Sequence, residues 1–571
     1  MTWIHRSLAV ILAFGLGCAT GPDPKQMSRF EDLSRNYIEA SYAYNPSFAT
    51  SWGYHKFDDS LENWSPEAIG AEEARIRGAL KDLETIDPKK LDPATRIDFE
   101  LFRRGAESNL FNLAEMRPWE SDPGQYNYGF MLEPMIARSF APPEDRLRSL
   151  TSRLRQVGRQ LANARVNLKN PPRMFTEFAI GDFEGTISYL QSDVTRAFSS
   201  VKDPALQRDF EKAKAEAVAE TERHVKWMRD TLLPASNGSY LLGEDRYKKK
   251  LSYDEMIDLP LDTLLAVGER EMQRLDTRYQ AAARRIDPAK PVAEIVAMMR
   301  QDHPSADSLL DYARGLLEGA RSFCIESKFI AIPSEVRCQV RPTPEYAASR
   351  SFASFDGPGP LETKATEAYY NITLPNKSWN KDRTEQFLQG YSRWTLPSVS
   401  IHEVYPGHYT HFLYAKSSPT FVRKAFGSGA FAEGWGLYTE EALLNHGYGH
   451  GDPKVEFGVM RWALTRSCRL QVGIRLHTRG MTMEQGVQYF MDHAGLERVN
   501  AEREAGRAAF DPTYSIYTLG ALQIRKLRDD VAREQGKGFD LARFHATILS
   551  QGALPVALLR RMLLRSEGSI L

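Results

Sequence analysis

The chain holds four cysteines in 571 residues, no excess of charge of either sign, and little that reads as low-complexity sequence. Each shortage excludes something. Four cysteines in so long a chain cannot form the dense disulfide framework of a small secreted scaffold. Lys+Arg and Asp+Glu both total 74 and cancel, whereas a nucleic-acid-binding surface needs a basic excess, so no nucleic-acid partner is expected. The local basic runs, Lys248–Lys250 and Arg560–Arg561, are expected to be solvated surface. Long apolar runs are also missing, and no segment beyond the first residues is long enough to cross a bilayer.

The first residues differ from the rest. Met1 to Arg6 is basic, Leu8 to Leu16 is apolar, and Gly17-Cys18 is followed by a polar stretch. The apolar run is too short for a membrane span and reads as a secretory signal. A Cys directly after Gly at its end resembles a bacterial lipoprotein signal. That resemblance implies a signal peptide over 1–18, a lipid on Cys18, and export to the cell envelope. Ala19, in place of Asp, points to the outer membrane, periplasmic side. Gly15 stands where such signals usually carry Leu, so a plain secretory signal is the alternative. Cys324 and Cys338 then meet oxidising conditions, and both a disulfide and two free thiols are open. Cys468 lies in an apolar helical pattern and reads as an inert buried thiol.

Apolar residues three and four apart predict helices over 65–84, 143–170 and 203–233, and again over 261–286 and 306–318. Pro123, Pro142-Pro143 and Pro171-Pro172 separate the first group. Residues 329–374 change character: Ile330 to Val340 alternates, and Ala368 to Leu374 is rich in β-type residues, predicting a small sheet or hairpins. Helical pattern resumes from Asp382. The expected fold is mainly α, with an N-terminal helical lobe over 19–240 and a C-terminal catalytic helical lobe over 241–571.

The chemistry concentrates in the last third. A catalytic zinc takes three protein ligands and keeps one position open. Its usual sequence form is two His one helical turn apart, with Glu beside the first as general base. Here His402-Glu403 is followed by Pro406-Gly407-His408. On a regular helix, six residues set two side chains about 120° and roughly 9 Å apart. Two imidazoles on one zinc need nitrogens about 3–3.5 Å apart. A straight helix cannot satisfy both, so the reading requires Pro406 and Gly407 to break it. Glu433 is the expected third ligand. Glu440, two turns further on, faces the same side and is expected to bond a ligand His. His411, three after His408, is a second candidate for such a supporting role, with an alternative ligand or plain packing as its other readings.

These residues resemble the bacterial family known as domain of unknown function 885, whose HExxPGH and EGWxxYxE signatures stand here as His402–His408 and Glu433–Glu440. Further matching blocks run through Arg466, Arg469, His477 and Thr482–Gln485, and through Glu504, Arg507, Tyr514, Tyr517 and Gly520. Tyr409 and His411 stand where many members carry His and Gln. The resemblance implies a large two-lobed helical zinc-peptidase-like fold with a central channel, similar to angiotensin-converting enzyme and the thermostable carboxypeptidases. It carries the ligand set His402, His408 and Glu433 for one Zn2+, with Glu403 as base and a peptide as substrate.

Other roles are left open by the residues themselves. His477, Tyr514 and Tyr517 are candidate donors to the oxyanion of a tetrahedral intermediate, each with a structural alternative. Arg466, Arg475 and Arg507 are candidates for a substrate carboxylate, or they pair with acids such as Glu504. Arg466, Gly473 and His477 share one helical face and are expected to form an active-site wall. Gly480 is expected to stop that helix, and Thr482–Gln485 to cap the next. Gly427-Ser-Gly does not supply a nucleophilic serine motif. Two other functions fit the same residues: a metal- or substrate-binding lipoprotein without catalysis, and a zinc hydrolase of non-peptide amides or esters.

Overall fold

The computed structural model describes residues 21–348, 351–566 and 568–571. The expected signal and the lipid-bearing Cys18 lie outside the described residues.

Helices form where apolar spacing and a capping side chain agree. Ser65 accepts a hydrogen bond from Ala68 N and opens Pro66–Leu83, with Pro at the first helical position, where no amide donor is lost. Asp203 does the same for Pro204–Trp227. The helices Pro143–Asn167 and Leu261–Ile286 follow the expected stretches closely, while the fifth lies later, at Leu309–Glu326. The fold is mainly α with one small sheet.

The sheet has three strands, β1 (Gln339–Pro342), β2 (Ala353–Asp356) and β3 (Tyr369–Ile372), in the order β1-β3-β2. β1 runs parallel to β3, with Val340 opposite Tyr370, and β2 runs antiparallel to β3, with Phe355 opposite Tyr370. The alternating run from Ile330 therefore becomes a strand only at Gln339. Pro333 within it has no amide to donate to a ladder. β2 is an edge strand, and its free side lies along the helix that carries His402.

Residues 30–106 share the largest apolar cluster with residues 401–559, whereas a second cluster lies wholly within 61–232. Cys324 and Cys338 are both free and buried, in separate clusters, so the disulfide alternative is not realised. Cys468 is a buried free thiol, as its apolar setting implied. The lysine run lies in exposed pairs such as Lys249–Glu115. Arg560 corrects the surface expectation: it is buried and bonded to Asp530 at 2.7 Å, because a guanidinium taken out of water needs a charged partner.

Two close helix crossings set the C-terminal body. Gly268 lets Leu261–Ile286 approach Leu470 and Gln471 of Pro453–Thr478. Gly434 and Gly520 meet backbone to backbone between Gly429–Asn445 and Ile516–Gln535, where a Cβ on Gly520 would stand 1.7 Å from the Ala430 carbonyl oxygen. That second crossing brings Tyr517, one turn before Gly520, alongside the helix of Glu433.

Candidate metal centre

The helix Leu396–Glu403 stops at Glu403, and the next, His408–Ala415, begins at His408. Between them Val404 leaves helical geometry, the Tyr405–Pro406 peptide is cis, and Gly407 N–H donates to the Ile401 carbonyl. Gly407 lies so close to the preceding turn that a Cβ would sit 1.8 Å from the His402 carbonyl oxygen. Only glycine fits. Trp435, fully buried, donates its indole N–H to the Pro406 carbonyl at 2.8 Å and pins the break. The result is the chain reversal that the six-residue spacing requires: the His402 and His408 rings lie 4.7 Å apart, nearly perpendicular.

Glu433 closes the group. Its Oε2 lies 3.3 Å from His402 Nε2 and 3.4 Å from His408 Nε2. One ligand atom from each of the three residues lies within 4.8 Å of the others, and this is the one such group among the described residues. Donors on a four-coordinate zinc with bonds near 2.0–2.1 Å stand about 3.3–3.4 Å apart. The two Glu433–imidazole separations match that spacing, so these three residues could hold one such ion and leave a position open.

The first ligand is fixed from behind. His402 Nδ1 bonds Glu440 Oε1 at 2.9 Å, which leaves Nε2 to face the other ligands. Glu440 is fully buried and in turn accepts from Ser398 Oγ, with Arg466 3.4 Å away. Gly436 makes room for the ring, since a Cβ there would lie 2.6 Å from it. Burial would push the His402 pKa down, but hydrogen bonds to Glu433 and Glu440 outweigh it and raise it to about 9. Burial would likewise raise Glu433, yet the flanking imidazoles hold it well below the usual carboxylate range. The cluster is thus organised by positive charge in its centre, which a divalent cation supplies as well as protons do.

Glu403 is partly buried beside the group, and its Oε2 accepts the Phe355 backbone N–H of β2 at 2.9 Å. Tyr517 stacks on His402, ring to ring at 6.2 Å. Its hydroxyl accepts from Arg507 Nη2 at 2.9 Å, so the phenol keeps its own proton to donate. Burial and the Glu433 charge raise its pKa to about 12.

The other expected residues go elsewhere. His477 bonds the Ala508 carbonyl at 2.8 Å and packs between Tyr240 and Tyr247; it links helices and touches none of the three ligands. Tyr514 is buried and donates to Glu504, which Arg469 also holds at 2.8 Å. Arg466 supports Glu440 and stacks on Trp462. Arg475 pairs with Glu269 at 2.6 Å on the outside. Of the three arginines, Arg507 reaches the centre through Tyr517 and Arg466 through Glu440, while Arg475 does not. The expected wall of Arg466, Gly473 and His477 is an interior packing face, since every residue from Val472 to Ile474 is buried. His411 bonds no ligand; its Nε2 is buried without a partner. Gly480 and the Thr482–Gln485 capping box are as expected. Ser398, Gly436 and Phe355 were not singled out from sequence, and Trp435 entered only as part of the matched signature. A glycine or a backbone amide carries no chemical signature that would have found them.

Residues 46–563 match the family described as bacterial protein of unknown function, DUF885, and the chain belongs to that family. Among solved structures, a "putative lipoprotein of unknown function" from Shewanella oneidensis is 26% identical, with a TM-score of 0.76, over 93% of this chain and 99% of that one. A "putative lipoprotein" from Colwellia psychrerythraea has the same fold at 19% identity and a TM-score of 0.78, over 94% of this chain and 98% of that one. No curated protein matches.

Proposed function

We propose that this chain is a zinc-dependent peptidase that hydrolyses peptide bonds at the His402–His408–Glu433 centre, exported as a lipoprotein. The observation that carries the proposal is the convergence of those three donors at zinc spacing, with Glu403 adjacent. When bound, zinc supplies a Lewis acid that acidifies water and polarises a carbonyl. The chain's own groups do the rest. Glu403 takes the proton of the attacking water and later returns it to the leaving amine. Its bond to Phe355 N–H orients the carboxylate and leaves one oxygen free for that proton. Tyr517 donates to the developing oxyanion, and Arg507 behind it strengthens the phenol as a donor. A channel of the angiotensin-converting-enzyme type is part of this reading.

The lipid anchor at Cys18, on the periplasmic side of the outer membrane, rests on the leader residues and on the descriptions of the Shewanella and Colwellia relatives. Among the described residues no helix is long and apolar enough to cross a membrane. Metal analysis of purified protein, followed by digestion of a mixed peptide library read by mass spectrometry with and without chelator, tests the function. About one zinc per chain and chelator-sensitive cleavage are expected. Zinc without cleavage of any peptide would overturn it in favour of a binding protein, or of a hydrolase for other amides or esters.

A further inference from the structure

A cavity of about 590 Å³ opens beside His408 and runs along the start of the helix Gly429–Asn445. Its size is that of a ligand pocket. Its walls are mostly apolar, with Trp52, Phe355, Phe412 and Phe426 among them. Phe355 is the residue whose amide holds Glu403, so the cavity adjoins the reacting centre.

Two buried polar side chains on its walls are hydrogen-bond acceptors. Glu255 is 4% exposed, and its Oε2 accepts from Ser428 Oγ and from Ala430 N at 2.9 Å. Those bonds occupy one oxygen and leave Oε1 for an occupant. His411 is 7% exposed, and its Nε2 is buried without a hydrogen-bond partner. A neutral ring protonated at its other nitrogen presents a lone pair there. Both arginines on the walls are already engaged: Arg423 is bonded to Asp98 at 2.6 Å, and Arg104 faces Glu107. Two acceptors short of donors, in an aromatic cavity, call for a group with several N–H bonds and an apolar body.

We propose that this cavity binds the amino-terminal end of a peptide, with the α-ammonium held by Glu255 and His411 and a bulky apolar side chain against the aromatic walls. Glu255 sits at the first turn of the helix and Glu433 one turn on, about 6 Å along the axis. An extended chain covers about 3.3–3.6 Å per residue. The scissile bond then follows the first or second residue, which makes the enzyme an amino-terminal exopeptidase. The cleavage position rests on the hydrolase reading above; the amine pocket does not.

The test uses the full chain, zinc-loaded, and two probes that differ only at the amine: L-phenylalaninol and N-acetyl-L-phenylalaninol, titrated by calorimetry. A buried charged hydrogen bond makes the free amine bind about tenfold tighter or more. Glu255→Gln and His411→Leu should each shrink that ratio, and the second variant serves if the first fails to fold. Equal binding of the two probes by the unmodified protein overturns the pocket, whatever the variants do. Hydrolysis of a Phe-initiated peptide and its acetylated form then separates the two ideas. Cleavage of the free-amine form alone, after residue one or two, supports both. Equal cleavage of both forms overturns the exopeptidase assignment and leaves the hydrolase. Selective probe binding with no cleavage of either peptide upholds the pocket and sinks the hydrolase.

Discussion

The two imidazoles of the centre stand in contrasting surroundings. Behind His402 there is a layered support: Glu440 on its Nδ1, Ser398 and Arg466 on Glu440, and Gly436 against the ring. Behind His408, among the described residues, no carboxylate other than Glu433 lies within bonding distance, and the residue lines the open cavity. His408 is placed by its backbone, through the break at Pro406-Gly407, rather than by a partner. One ligand is therefore held by side-chain chemistry and the other by chain geometry. The supported ring is fixed in orientation, and the ring without such backing faces the cavity.

That contrast sets how each side should fail. Gly407→Ala strikes the geometric side at its origin. The new Cβ would overlap the His402 carbonyl, a backbone atom that cannot turn away, so we expect a loss of roughly 3 kcal/mol or more. Thermal unfolding should show the drop, together with loss of bound zinc; an unshifted midpoint with full zinc would contradict the role given to the break.

Glu440→Gln attacks the side-chain support. Zinc affinity should fall about 10–100-fold, the usual cost of losing such a partner, as read by competition with a chromogenic chelator. Unchanged affinity would mean that Glu440 serves folding alone.

The pH dependence of zinc binding follows from the same side. With its pKa raised to about 9, His402 holds a proton below that pH, and zinc must displace it. Affinity should fall as pH drops from 9 toward 7, by up to about tenfold per unit. In Glu440→Gln the raise is smaller, so the slope should flatten near neutral pH. An affinity independent of pH would remove His402 from the ligand set. The smallest effect belongs to His411→Gln on the cavity side: zinc affinity should stay within about twofold, since the ring bonds no ligand. A large loss there would show that His408 has a support not apparent in its contacts.

The sequence makes the meeting of His402 and His408 legible because their spacing is wrong for a helix. His402 and His408 can meet only across a break, and Pro406-Gly407 is a break with a mechanism. Glu440 is legible because seven residues return to one helical face. The long helix Pro453–Thr478 shows where such reasoning stops. Spacing picks out Arg466, Gly473 and His477 as one face, but that helix is buried on nearly every side. Periodicity does not say which neighbour a face meets, and this one meets Tyr247 and Tyr514. Tyr514 and Tyr517 separate for a related reason. Tyr514 precedes the helix Ile516–Gln535 and Tyr517 lies in its first turn, so one turns inward to Glu504 and the other toward His402. Glu255 lies 178 residues before Glu433, and only the folded chain brings it to that helix.

The most direct measurement is zinc content and peptide turnover in Glu403→Gln, which keeps the shape of the side chain and removes its ability to accept a proton. The account predicts about one zinc per chain, as in the unmodified protein, with turnover reduced by at least about a hundredfold. Turnover close to that of the unmodified protein would contradict it.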